Sequence, residues 1–279
     1  MNRCDPASGS GSNTEHVAQA FLRVRFSFMG KVLLITGTTG IAEATALRAA
    51  QQGDSVFVIG RDESHCLALV ARLPDSGYYA CDLRDERGVE QALAACLKKF
   101  GGVDAVFNVA GISGRKLGDG PLHECTGEGW DVTLDTNVKS MFLVCRDALR
   151  YWLGAGRPGT VLNMSSVLAF SPEAQHFATH AYAASKGAII SMSRAMAAYY
   201  APHKVRVNVI APALVRTPMS ARAQSDAELL EFISHKQPLS GGMLDAGDVA
   251  ETALFLLGEQ SRHITGQVVS IDGGWAVSG

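Results

Sequence analysis

Along the chain, short runs of consecutive apolar residues alternate with longer helical patterns. The runs read KVLLIT, SVFVIG, YYACDL, VDAVFNVAG, GTVLNMSS, KVRVNVIAP and GQVVSID. Their apolar residues are continuous rather than alternating, which is the mark of strands buried on both faces of a parallel sheet. Between them, helices are predicted over residues 41–52, 86–100, 130–153 and 248–257, and over AYAASKGAIISMSRAMAAYYA. The first is rich in alanine, a strong helix former, and Gly53 after it suits a helix C-terminus. Strand–helix alternation implies right-handed crossovers and a doubly wound, three-layer α/β architecture of about seven parallel strands.

Residues 1–28 break this pattern. They hold the low-complexity stretch ASGSGSN and then HVAQAFLRVRFSFM, whose Arg23 and Arg25 make it a poor secretory core. The expectation is a disordered extension over 1–28 and one domain over 29–279.

Composition narrows the function classes. The 279 residues are 47% hydrophobic and 19% charged, ordinary for a globular protein with a sizeable core. A net charge of −2 offers no electrostatic footprint for nucleic acid or an anionic membrane. No apolar run reaches the ~18 residues of a membrane span. The six cysteines (Cys4, Cys66, Cys81, Cys96, Cys125, Cys145) form no C-x-x-C pair, so a reducing, cytoplasmic compartment is expected.

Several motifs carry candidate chemistry. TGTTGIA links the first strand to the first helix, where backbone N–H groups and the helix dipole favour a pyrophosphate. It departs from G-x-G-x-x-G. Only Gly37 and Gly40 are present, and the third position is Ala42 or Glu43 depending on the register. Glu43 suits the dipole but would repel a phosphate if turned inward. Tyr182 and Lys186, four apart, share a helix face. An ammonium beside a phenol lowers its pKa from about 10, making it a usable acid or base. Ser165 and Ser166 end a buried strand, at the edge where doubly wound folds bind ligands. NVAG ends another, and Asn137 is expected mid-helix at a propensity cost. His176 and His180 are four apart, but with no third ligand evident no metal is expected.

In this order, these segments resemble the short-chain dehydrogenase/reductase family over essentially all of residues 31–279. The resemblance rests on TGTTGIA, NVAG, Asn137, Ser166, YAASK, APALVRT and ITGQVVSIDGG. It points to the single-domain branch similar to 3-oxoacyl-ACP reductase-like oxidoreductases, with a Rossmann-type fold. It implies that Tyr182 exchanges a proton with a carbonyl or secondary alcohol oxygen. Lys186 would assist it and hold the nicotinamide ribose, Ser166 would hydrogen-bond the substrate oxygen, and Asn137 would position a water leading to Lys186. It assigns cofactor contacts to Gly37, Thr38, Thr39, Gly40, Ile41, Asp82, Leu83, Asn108, Ala110, Gly111, Tyr182, Lys186, Pro212, Val215 and Thr217. Against that family's register one residue is missing between Gly37 and Gly40, and Ala42 stands for the third glycine. Val109 and Ala213 depart from the usual second asparagine and glycine. A homotetramer or homodimer through the helices bearing Asn137 and Tyr182 is also implied.

Cofactor preference turns on VFVIGRD. NAD-preferring relatives place an acidic residue where Gly60 stands, to bind the ribose 2′-OH. Here Arg61 follows instead, able to pair a 2′-phosphate, which favours NADP(H) over NAD(H). Pocket walls are expected from Leu168, Ala169, the segment FSPEAQHFATH and the segment MSARAQSDAELLEFISHKQPL. Their apolar content suggests a neutral or partly hydrophobic carbonyl. Two other readings are a nucleotide-binding regulatory protein with impaired turnover and an epimerase or dehydratase on the same fold. An enoyl reductase is disfavoured by the spacing of Tyr182 and Lys186.

Overall fold

A computed structural model describes residues 30–278; the extension expected over 1–28 lies outside the described residues. Seven strands form one parallel sheet: β1 (Val32–Thr36), β2 (Ser55–Gly60), β3 (Ser76–Ala80), β4 (Ala105–Asn108), β5 (Gly159–Met164), β6 (Val205–Pro212) and β9 (Val268–Ile271). Their order is β3-β2-β1-β4-β5-β6-β9, so the chain winds outward in one direction from β1 and then returns to continue in the other. That reversal, between β1 and β4, is the switch point where doubly wound sheets open a ligand crevice. The two-residue strands β7 (Val215–Arg216) and β8 (Leu244–Asp245) pair separately.

Continuous apolar strands serve two cores at once because successive side chains leave opposite faces. Leu33, Ile35, Val56 and Val58 point into one core, with α1 (Ile41–Gln51) and α9 (Ala246–Leu257). Leu34, Phe57 and Ile59 point into the other, with α3 (Glu86–Phe100), α5 (Ser140–Gly154) and α6 (His180–Tyr200). A third cluster lies beyond the sheet edge: Val167, Leu229, Ile233, Met243 and Trp275.

Three local features differ from the sequence-based expectations. Helix α2 (Glu63–Val70) follows β2 directly, started by Asp62, whose carboxylate accepts from His65 N. Helix α8 (Ala227–Lys236) sits in the segment expected only as a pocket wall; Asp226 caps it through Leu229 N. The long helix expected over 130–153 is α4 (Gly127–Leu134) running into α5 through a π-type turn, Asp135–Lys139. There Ser140 N donates to Asp135 O, a bond spanning five residues rather than four. Such bulges insert a residue into a helix and are frequent at functional sites.

Candidate active site

A cleft of about 920 Å³ runs along the C-terminal edge of the sheet. One end begins at the turn after β1. Gly37 and Gly40 both take positive φ (96° and 60°), conformations that need glycine. Gly37 N donates to Ile59 O at 2.8 Å, which anchors the shortened turn to β2. No side chain caps α1. Its first amides and the positive end of its dipole are therefore left for an anion. Ala42 is fully buried under the turn, and a Cβ at Gly37 would meet its methyl at 3.4 Å, an ordinary contact. Glu43 pairs with Arg72 and takes no part in the cleft lining, so the repulsion considered for it does not arise.

Of the expected cofactor contacts, Gly37, Thr38, Thr39, Ile41, Arg61, Asp82, Leu83, Ala110, Gly111, Pro212, Val215 and Thr217 line this cleft. Asp82 holds Arg84 through two oxygens, at 2.6 and 3.0 Å, which keeps its carboxyl below the usual range. Gly40 and Asn108 lie behind the wall. Gly40 backs onto Thr217, whose methyl a Cβ there would meet at 2.9 Å. Asn108 is buried and donates to Asn163 Oδ1 (2.9 Å) and Cys145 Sγ, tying β4 to β5 and α5. The hydroxyl of Thr36 accepts from Val109 N and Ala110 N (3.0 and 3.2 Å) and so shapes the loop after β4.

The other end of the cleft gathers Ser166, Tyr182 and Lys186. Tyr182 is half-buried, with its hydroxyl close to Ser166 across the gap between α6 and the end of β5. Lys186 Nζ is buried, 5.5 Å from the centre of the Tyr182 ring, and donates to Met164 O at 2.9 Å. Ser165, the other candidate hydroxyl, points away and donates to Lys186 O, fastening α6 to β5.

The expected lowering of the phenol by its lysine neighbour is not what this structure gives. Burial pushes the Tyr182 hydroxyl above its usual 10, and the Ser166 hydrogen bond pulls weakly the other way. Burial also pushes the Lys186 ammonium down to about 8. Desolvation disfavours the charged form of both groups, and the lysine is directed at a carbonyl rather than at the phenol.

Asn137 is buried in the π-type turn, and its amide is fully engaged. Nδ2 donates to Ile112 O and Ser185 Oγ, both at 3.0 Å, and Oδ1 accepts from Ile112 N at 2.8 Å. The side chain therefore clamps the loop after β4 to α6. A Cβ at Gly111 would stand 2.9 Å from Asn137 Oδ1 and 3.7 Å from Lys186 Nζ, so only glycine allows this approach.

Two positioning residues escaped the sequence reading. Asp119 is buried, and its two carboxylate oxygens accept from Ala181 N and Tyr182 N, each at 2.9 Å. It thus caps the tyrosine helix from a separate loop. Gln237, fully buried, exchanges hydrogen bonds with Leu214 N (2.8 Å) and Leu214 O (3.2 Å), bracing the PALV loop. Neither stands in a local motif, because both act across more than twenty residues. His176 packs against Phe232, ring centres 4.9 Å apart. Among the described residues no cluster of three metal-ligating side chains exists.

The family model described as Enoyl-(Acyl carrier protein) reductase matches residues 35–276. Glucose 1-dehydrogenase from Gluconobacter oxydans is 33% identical over 258 residues, covering 90% of this chain and 94% of that protein. Among solved structures, 3-ketoacyl-(acyl-carrier-protein) reductase from Brucella melitensis, complexed with NADH, superposes with a TM-score of 0.79. It is 30% identical, with 89% and 99% of the two chains covered. An actinorhodin polyketide ketoreductase structure with NADPH gives a TM-score of 0.81 at 27% identity, covering 89% and 98%. The sheet order, the cleft at its switch point and these likenesses agree: the chain belongs to the short-chain dehydrogenase/reductase family and is an oxidoreductase dependent on NAD(P).

Proposed function

We propose that the protein transfers a hydride between NADP(H) and a carbonyl or secondary alcohol, with Tyr182 as acid and base. The observation that carries this is that Ser166, Tyr182 and Lys186 converge on one cleft, with the Lys186 ammonium 5.5 Å from the Tyr182 ring centre. Bound nicotinamide supplies or accepts the hydride. In the reducing direction the Tyr182 hydroxyl gives its proton to the carbonyl oxygen; in the oxidising direction it takes the alcohol proton. Ser166 donates to the same oxygen as charge develops there. Lys186 would hold ribose hydroxyls, while Asn137 fixes the loop and helix that carry them.

The cleft fits a dinucleotide. Gly37, at positive φ on the cleft lining, lets backbone approach a pyrophosphate, and the uncapped α1 faces the cleft. NADP(H) is favoured because residue 60, where an NAD-type site carries its acid, is glycine. Asp62, two residues on, directs Oδ1 at Ser64 Oγ (2.6 Å) and His65 N (3.1 Å), starting α2. Arg61 lines the cleft beside them. The test is titration of NADPH and NADH, followed by a carbonyl and alcohol screen with the tighter cofactor. Tighter NADH binding overturns the preference, and full activity in Tyr182→Phe overturns the mechanism.

A homodimer or homotetramer through α4, α5 and α6 accounts for Trp130, Phe142 and Leu153, large apolar side chains exposed on α4 and α5. Sedimentation velocity tests it. Among the described residues no helix is long and apolar enough to cross a membrane. A cytoplasmic, reducing location is supported by the unpaired Cys66, Cys81, Cys96, Cys125 and Cys145.

A further inference from the structure

The mouth of the cleft concentrates positive charge from two separate walls. Arg115 lies in the one-turn helix Arg115–Leu117 after β4, followed by Lys116; Arg222 lies in the short helix Ala221–Gln224. All three line the same cleft as Ser166 and Tyr182. Both arginines donate to one acceptor, His176 O, at 3.0 and 3.2 Å. Two guanidiniums sharing a single carbonyl are closer together than the sum of those bonds, and a neutral oxygen cannot offset their repulsion.

The nearby carboxylates make their short hydrogen bonds to backbone amides and only partly offset this charge. Both Asp119 oxygens serve the start of α6. Both Glu173 oxygens accept from Gln175 N and His176 N. Asp226 caps α8 and reaches Arg222 only at 3.9 Å. Arg115 is shifted below its usual pKa, by burial first and then by Arg222, with Asp119 pulling the other way. A planar donor fork matches a carboxylate or phosphate better than any other common ligand group. The same cleft is also lined by the apolar Leu168, Phe177, Leu214 and Trp275.

We propose that the substrate carries an oxyanion, seated between Arg115 and Arg222, at the end of an apolar segment that places its carbonyl at Ser166 and Tyr182. This rests on the hydride-transfer reading and replaces the neutral substrate suggested by apolar content alone. The substrate is then an oxo acid or an oxo phosphate ester.

Two measurements test it. In calorimetry, succinate, inorganic phosphate and neutral succinamide are titrated into the full chain saturated with its preferred nicotinamide dinucleotide. One of the two anions is expected to bind, succinamide is not, and the Arg115→Gln/Arg222→Gln double variant is expected to bind that anion at least ~10-fold more weakly. Whether succinate or phosphate wins distinguishes the two sources. In kinetics, 4-oxopentanoate is compared with its methyl ester, and dihydroxyacetone phosphate with dihydroxyacetone. The matching anion is expected to show at least ~10-fold higher kcat/KM than its neutral partner. Each single Arg→Gln variant, which keeps an amide donor for His176 O, is expected to shrink that ratio. Equal kcat/KM within both pairs, or anion binding undiminished in the double variant, overturns the proposal. If no carbonyl is reduced at all, the hydride-transfer reading fails, while calorimetry still decides the anion seat independently.

Discussion

The side chain of Thr38 occupies the space into which a side chain at position 60 would project. A Cβ built on Gly60 stands 2.6 Å from Thr38 Cγ2 and 2.8 Å from Cys66 Sγ. The shortened glycine turn and the missing carboxylate at the end of β2 are therefore one coupled feature: the threonine methyl packs where the acid of an NAD-type site would stand. Gly60→Asp alone is expected to cost about 1–3 kcal/mol through overpacking. Thermal unfolding should show a lower Tm, partly restored by Thr38→Gly. The pair should also shift the ratio of NADPH to NADH dissociation constants toward NADH, which a fluorescence titration reads.

Tyr182→Phe removes the hydroxyl that Ser166 meets. A fall in kcat of about 10²- to 10⁴-fold is expected, the range for a lost proton donor, with cofactor dissociation constants nearly unchanged. Stopped-flow hydride transfer checks it.

Lys186 gives a pH signature in stability. Burial holds its ammonium at about 8 against its usual 10.5. Between those values the unfolded chain binds more protons than the folded one, so this group makes stability rise with pH through that window. Below about 8 the full cost of burying the charge is present and no longer varies. Lys186→Met should therefore be more stable than the parent at pH 7, by roughly 2 kcal/mol after losing the bond to Met164 O. The difference should close between pH 8 and 10.5. Denaturant midpoints across that range measure it, and activity should be lost throughout.

Asp119 is predicted to act through the helix it caps. Asp119→Ala leaves two amides at the start of α6 without their acceptor. It should cost about 1–2 kcal/mol, as the loss of a good cap does. Because the amides belong to Ala181 and Tyr182, kcat should fall while KM changes little. Asp119→Asn, which keeps one acceptor, should recover part of kcat. Steady-state kinetics of the two variants decides it.

How legible the molecule was depends on the range of each interaction. Runs such as SVFVIG announce strands buried on both faces, because alternate side chains must enter two separate cores. Tyr182 and Lys186 announce a shared face, because one helical turn sets their spacing. The start of α2 was carried by Asp62 two residues after β2, a cap signal easily lost beside the more informative Arg61.

Sequence spacing alone thus determined the layered α/β order, the seven apolar strands and the shared helix face of Tyr182 and Lys186. The grouping of Ser166 with them followed from the family resemblance. Only the tertiary structure decided what depends on neighbours distant in the chain. Asn108 serves the core rather than the cleft because Asn163 and Cys145 meet it there. Glu43 is turned away because Arg72 waits outside. Tyr182 is pushed up rather than down because burial disfavours the phenolate, while Lys186 is directed at Met164 O. Burial and charge pairing sum over every element packed around a residue, and local sequence spacing carries only a small part of that sum.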